Sequence, residues 1–131
     1  MKIVTIIARI LLGLAFTVFG ANIIHPFMPM PPPVEGSPIA LFMAVMLPSG
    51  WMTLVGIIQL IGGLLVLSAR ATPLGLVFLA PILVNILAFH ITLDHGNGIG
   101  GGIVFSVLEI FLIYAYRNNF RGIFACDASP S

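Results

Sequence analysis

Four apolar runs of membrane-spanning length dominate this sequence. Each holds 18 to 22 residues, and they lie at Ile3–Ile24, Trp51–Ala69, Pro73–Leu93 and Ile99–Tyr116. A hydrocarbon core of about 30 Å is crossed by about 20 helical residues. Because no water is available there, backbone groups must bond within their own segment, which favours helices. We therefore predict an all-α membrane protein, a four-transmembrane-helix antiparallel bundle forming one domain over residues 1–131.

The scarcity of charge supports this class. Only 7% of the residues are charged and 60% are hydrophobic, whereas a soluble domain carries about 25% charged residues. We expect membrane lipid as the surrounding medium. The net charge of +1 argues against nucleic acid as a partner. A single cysteine, Cys126, predicts neither an internal disulfide nor a cysteine metal site.

The five basic residues predict the orientation in the membrane. Lys2 and Arg9 lie at the start of the first run, Arg70 lies between the second and third, and Arg117 and Arg121 follow the fourth. Cytoplasmic segments are enriched in lysine and arginine, so we predict that both termini are cytoplasmic. Because Arg9 interrupts the first run and no A-x-A-like site follows, we expect a retained span and not a cleaved signal peptide.

The connection between the first two runs, residues 25–50, is expected on the outer side. Its prolines, concentrated between Pro26 and Pro38, disfavour helix and favour extended backbone. The apolar stretch Pro38–Leu47 has ten residues, which suits a re-entrant or interfacial helix and not a further span. We expect this connection to cap the bundle, while residues 117–131 form a cytoplasmic tail.

Two charged residues lie inside predicted spans. At 1.5 Å per residue, Arg9 and Glu109 are about 9 and 12 Å from the cytoplasmic ends of their helices. An unpaired charge at that depth is costly. We therefore predict a structural ion pair between Arg9 and Glu109. The alternative is that Glu109 binds a ligand or a proton.

Further polar residues lie nearer the outer side. Gln59 and Asn85 are both about 12 Å below it, where an amide serves as interhelical glue or as a ligand group. His90 follows Asn85 by five residues, so the two point about 140° apart on a regular helix. They can share a pocket only if the helix is distorted or the proline-rich loop receives His90. The candidate ligand-binding residues are thus Glu109, Gln59, Asn85 and His90.

No catalytic residue is predicted, because no nucleophile lies beside a base and no cofactor fingerprint occurs. His90 and Asp94 share a helix face, and His25, His95 and Asn22 are expected near the same surface. Imidazole and carboxylate suit several transition metals. The spacing matches no zinc pattern, and we predict no metal site.

Several segments resemble the DoxX family of small four-helix bacterial membrane proteins. The resemblance extends over Ile3–Arg121. It is carried by Arg9–Phe16, Phe19–Gly20, Gly56–Gly63, Pro73–Gly75, Asn85–Ile86, Phe89–His90 and Tyr114–Arg117. The resemblance implies a location in the bacterial cytoplasmic (inner) membrane. Gln59 stands where relatives often have glutamate in a Glu-Leu-x-Gly-Gly motif, which removes a titratable group and weakens any proton-coupled mechanism.

The family is associated with respiratory and redox complexes. The resemblance therefore implies a non-catalytic or quinone-interacting subunit of a redox, respiratory or oxidative-stress complex, with an oxidoreductase as the partner. A quinone or other small apolar ligand would be bound and not covalently attached, with Phe78, Phe89 and Phe105 around its ring. The alternative is a small-molecule carrier or membrane scaffold without a redox role, for which a homo-oligomer is expected. Whether the chain belongs to an enzyme stays open.

Overall fold

A computed structural model describes residues 2–126 and 129–131. Within these residues the regular structure is helical, and no strand occurs. The elements are α1 (Lys2–Ile24), α2 (Pro38–Met46), α3 (Trp51–Leu67), α4 (Thr72–Thr92), α5 (Ile99–Ala115) and a 3₁₀ turn (Arg117–Phe120). Each of the four predicted apolar runs coincides with one α-helix, and the boundaries agree to within two residues.

The helix ends follow from local chemistry. Ser37 caps α2, because its hydroxyl accepts a hydrogen bond from the Ala40 N–H at 3.2 Å and Pro38 occupies the first turn. Gly50 and Gly98 precede α3 and α5 with φ angles of 83° and 67°, a conformation that favours glycine. These residues separate apolar runs that would otherwise be nearly continuous.

Two helices, α1 and α4, are each long and apolar enough to cross a membrane. Helices α2 and α3 are bent by 85° at the break between them, and together they pass the same test as one broken span or re-entrant element. Helix α5 is apolar but has only 17 residues. The described residues thus contain two or three candidate spans, which fits a membrane protein.

Glycines bring α1 and α3 into close contact. A Cβ added at Gly20 would lie 2.6 Å from the Leu60 backbone nitrogen and 2.8 Å from the Gly56 carbonyl oxygen. One added at Gly63 would lie 2.5 Å from the Thr17 nitrogen. The small residues on these two faces thus allow the helix backbones to approach closely.

The same pattern continues on the opposite side of α3. A Cβ at Gly75 would lie 2.7 Å from the Gly62 carbonyl oxygen, so α4 packs closely on α3. Helix α5 contacts both α4 and α1, and each of the four long helices therefore contacts two of the others. Leu12, Phe16 and Leu112 are among the side chains buried between them.

The faces turned away from these contacts are apolar. Large side chains such as Ile7, Leu14, Val84 and Ile110 are exposed on α1, α4 and α5. An apolar exterior of this extent is unfavourable in water but matches a hydrocarbon solvent. The apolar surface and the lengths of the helices thus both fit a membrane protein.

Arg9 has a different partner from the one predicted. Its Nη1 donates to the carbonyl oxygens of Leu67 at 2.6 Å and Val66 at 3.3 Å. These carbonyls lie in the last turn of α3. No further helical turn follows to supply N–H groups to them, and the negative end of the helix dipole lies there. Thr72 Oγ1 also donates to the Val66 carbonyl at 3.0 Å. Arg9 therefore caps α3 and forms no direct ion pair with Glu109, whose carboxyl oxygens have no partner among the described residues. Contact between the two side chains through one water stays a prediction.

Candidate ligand cavity

A cavity of about 350 Å³ opens where α1 ends and α3 begins, beneath the proline-rich loop. Residues of α1, α2, α3 and α4 and of the loop form its walls. They are Phe16, Phe19, Asn22, Ile23, Met28, Met30, Phe42, Met43, Met52, Val55, Gln59, Ile82, Asn85, Ile86, Phe89 and His90. The walls are mainly aromatic, aliphatic and thioether groups, with a few polar groups among them, as in small-molecule sites.

Two amides line this cavity from neighbouring helices. Gln59 of α3 is only 5% exposed, and its Oε1 has no hydrogen-bond partner. Asn85 of α4 is exposed toward the open side, and its side chain has no partner among the described residues. Leaving a buried polar atom unpaired costs about 1–3 kcal/mol. A ligand that donates a hydrogen bond to Gln59 Oε1 would remove this cost.

His90 lies at the mouth of the cavity with one ring nitrogen held in place. Its Nδ1 is 3.1 Å from the Asn97 carbonyl oxygen and 3.3 Å from Asp94 Oδ2. A carbonyl oxygen can only accept, so Nδ1 carries the hydrogen. In the neutral ring the lone pair is then on Nε2.

His90 and Asn85 line the same cavity, although they are five residues apart. Met28 and Met30, from the proline-rich loop, also line this cavity. The His90 ring itself is held by Asp94 and Asn97, which follow α4. The Phe42 ring of α2 also packs on Phe89 of α4, with centroids 5.3 Å apart, so the connection contacts the helices as predicted.

Glu109 does not line this cavity. It is 4% exposed, and neither carboxyl oxygen has a hydrogen-bond partner among the described residues. The hydroxyl of Ser106, one turn earlier on α5, is also buried and unpartnered. The structure thus groups Gln59, Asn85 and His90 and leaves Glu109 apart from them.

The remaining polar candidates have separate positions. Asn22 Oδ1 accepts from the N–H groups of Phe27 and Met28, at 3.0 and 2.9 Å, and so fixes the chain as it leaves α1. His25 and His95 are exposed. Within residues 2–126 and 129–131, no three His, Cys, Asp or Glu side chains come together.

The three phenylalanines that were expected around a ligand ring have different positions in the structure. Phe89 lines the cavity, whereas Phe105 packs behind it, 5.6 Å from the Phe16 ring and 6.0 Å from the Phe19 ring. Phe78 is not part of the lining. Sequence reasoning overlooked Phe16 and Phe19, whose spacing of three residues places them on one face of α1.

Sequence reasoning also overlooked the methionines. A second, outer cavity of about 890 Å³ lies under the proline-rich loop and adjoins the first. The two cavities share a set of residues, which we call the junction: Asn22, Ile23, Met28, Met30, Met43, Met52, Phe89 and His90. The sequence signal was the Met-Pro-Met segment at residues 28–30.

Comparisons with protein families, characterised proteins and solved structures find no match for this chain. The chemistry of the cavity is therefore derived from its own side chains. Aromatic and thioether walls suit a flat apolar molecule, and the amides of Gln59 and Asn85 can bond to its polar atoms. His90 can accept or donate at Nε2 according to its protonation.

Proposed function

We propose that this chain is an inner-membrane protein with four spans, formed by α1, α3, α4 and α5 as an antiparallel bundle with both termini cytoplasmic. The exposed apolar faces of these helices support this arrangement. The distribution of lysine and arginine supports the orientation. In it, the proline-rich loop and the mouth of the cavity face outward.

We propose further that the cavity binds the head group of a quinone. The observation that carries this proposal is the side chain of Gln59, whose buried Oε1 has no hydrogen-bond partner in an otherwise apolar, aromatic-lined cavity. A quinone ring is flat and apolar, and its two oxygens accept hydrogen bonds as carbonyls and donate them as hydroxyls in the reduced quinol. Gln59 and Asn85 lie on different helices, and the N–H groups of each amide can donate to one carbonyl oxygen of the quinone, while Gln59 Oε1 can accept from a hydroxyl of the quinol.

The role that follows is that of a small subunit in a redox complex. The DoxX-like segments that contain Asn85 and His90 support this, whereas Gln59 stands where relatives often have glutamate. Reduction of a quinone needs an electron donor, and we propose that an oxidoreductase partner subunit supplies it. The chain itself would bind and position the quinone.

Quinone binding can be tested with purified protein in lipid nanodiscs, titrated with decylubiquinone and with menadione. We expect saturable binding by the natural protein. Gln59→Leu and Asn85→Leu should each weaken it about tenfold, the effect of losing one hydrogen bond worth about 1.4 kcal/mol. Asn119→Leu is the matched control, because Asn119 is an exposed amide outside the cavity.

Two outcomes would contradict the quinone proposal. If Gln59→Leu binds the quinones as tightly as the natural protein does, the quinones bind at another site. Absence of quinone binding, combined with solute uptake into proteoliposomes or with a stable partner protein, would favour the carrier or the scaffold.

A further inference from the structure

The methionines of this chain are concentrated at the junction between the two cavities. The sequence has six methionines. Met28, Met30, Met43 and Met52 line both the inner and the outer cavity, whereas Met46 lines neither. These four come from the loop, α2 and α3, so the fold brings together residues up to 24 positions apart.

Local hydrogen bonds position part of this cluster. Asn22 Oδ1 accepts from the Met28 N–H at 2.9 Å, which fixes the backbone of Met28 against the end of α1. Met28, Met43 and Met52 are partly buried, while Met30 is 73% exposed toward the outside. Methionine has three rotatable bonds, so these thioethers can reorient to bind an ion where the two cavities adjoin.

His90 contributes an imidazole to the same junction. Nδ1 is held by the Asn97 carbonyl and by Asp94, so Nε2 is the ring nitrogen left for a ligand. A histidine whose other nitrogen donates to a carboxylate or a backbone carbonyl is the common arrangement at metal sites. His90 already has this arrangement in the structure.

The types of donor select the metal. Thioethers are soft and uncharged ligands that favour Cu(I), and imidazole binds copper as well. Zinc sites instead use combinations of cysteine, histidine and carboxylate, and no three such residues come together in the described part of the chain. A neutral set of donors is also suited to a monovalent ion, because little charge has to be compensated.

We infer that the junction is a binding site for a soft monovalent metal ion, Cu(I), held by the thioethers of Met28, Met43 and Met52 and by Nε2 of His90. Met30 lines the same two cavities and is the most exposed of the four methionines. The proposed copper donors line the same inner cavity as the amides Gln59 and Asn85, but they are different side chains. Binding of Cu(I) by thioethers and imidazole does not require that the cavity binds a quinone.

The test is an anaerobic titration of the untagged, full-length protein with Cu(I), in competition with the chromophoric chelator bicinchoninate. We expect one Cu(I) per chain, and displacement by Ag(I), which binds the same soft donors without redox chemistry. Zn²⁺ should not compete. X-ray absorption of the copper-loaded protein should show sulfur and nitrogen neighbours together.

Substitutions at the junction identify the ligands. Met43→Leu and Met52→Leu conserve side-chain volume and should each weaken Cu(I) about tenfold or more, since second-sphere changes alone cost about 10–100-fold. Met46→Leu, outside both cavities, should leave the affinity unchanged. His90→Phe should remove the nitrogen signal, whereas His25→Phe should retain it.

Asp94→Asn tests the role of the carboxylate behind His90. We expect about a tenfold loss of Cu(I) affinity with the copper ligands unchanged. The proposal is overturned if bicinchoninate removes all the copper from the natural protein, or if Met43→Leu/Met52→Leu binds Cu(I) as tightly as the natural protein does. Gln59→Leu separates the two proposals, because Gln59 is not a proposed copper donor: this variant should bind Cu(I) as tightly as the natural protein does while its affinity for decylubiquinone falls.

Discussion

The guanidinium of Arg9 lies at the end of α3, where its Nη1 donates to the Leu67 carbonyl at 2.6 Å. The charge at the start of α1 thus meets the negative end of an antiparallel helix and two carbonyls that have no helical partner. This contact explains why Arg9 can lie inside an apolar run although no carboxylate lies beside it.

Replacing Arg9 should therefore loosen the α1–α3 contact. Arg9→Met leaves the Val66 and Leu67 carbonyls without this donor, and we expect a loss of about 1–3 kcal/mol in the free energy of unfolding. Thermal unfolding in detergent measures it. Lys2→Met is the control, because Lys2 is exposed at the start of the same helix and should change the stability little.

Glu109 should respond in the opposite direction. Its two oxygens are buried without partners, so Glu109→Met removes a desolvated polar group and should stabilise the protein by about 1–3 kcal/mol. Glu35→Met, at an exposed site, is the control. A clear loss of stability in Glu109→Met would show that the carboxyl has a partner, such as a bound water. The double variant with Arg9→Met should be additive within about 0.5 kcal/mol, as expected for residues that do not touch.

The close packing of α1 on α3 can be tested with single methyl groups. Gly20→Ala places a Cβ against the backbone of Leu60 and Gly56, which cannot move aside easily, and should cost about 1–3 kcal/mol. Gly101→Ala, also in a helix, meets nothing within 4 Å and should stabilise by about 0.5–1 kcal/mol. Equal effects of the two changes would argue against the α1–α3 contact.

The proposed orientation predicts which cysteines are reached from outside. In a Cys126→Ser background, Ser37→Cys and Asn97→Cys should react with an impermeant maleimide in intact cells. Asn97 is preferable to its neighbour Gly96, whose φ of 85° would strain a cysteine. Native Cys126, exposed in the tail, should react only after lysis. The reverse pattern of labelling would invert the topology.

The polar sites could be predicted from the sequence only in part. Depth along a helix follows from counting residues, and it gave Arg9 and Glu109 similar levels. Which helix faces Arg9 is a matter of packing: glycines at Gly13 and Gly63 draw α1 against α3, and the long guanidinium reaches the carbonyls there. The sequence of one chain does not show which helix packs against the Arg9 face of α1.

The residues of the cavity could also be predicted from the sequence only in part. Gln59, Asn85 and His90 stood out in the sequence because polar groups are rare and costly in apolar helices. Their grouping depends on the loop folding back over α4, and the methionines of that loop became notable only once the fold placed them in the lining of the same cavities as His90. Methionine is common as a simple apolar residue, so its spacing alone did not indicate a site.

The sequence by itself determined the helices and their limits. In apolar runs of this length the backbone hydrogen bonds are local. Glycine or proline marks the start of α2, α3, α4 and α5, although α4 continues through Pro81. Tertiary structure alone decided which polar groups meet, because contact between helices depends on side-chain shapes summed over whole faces. The contact of Arg9 with Leu67 is of that kind, and so is the packing of Phe42 on Phe89.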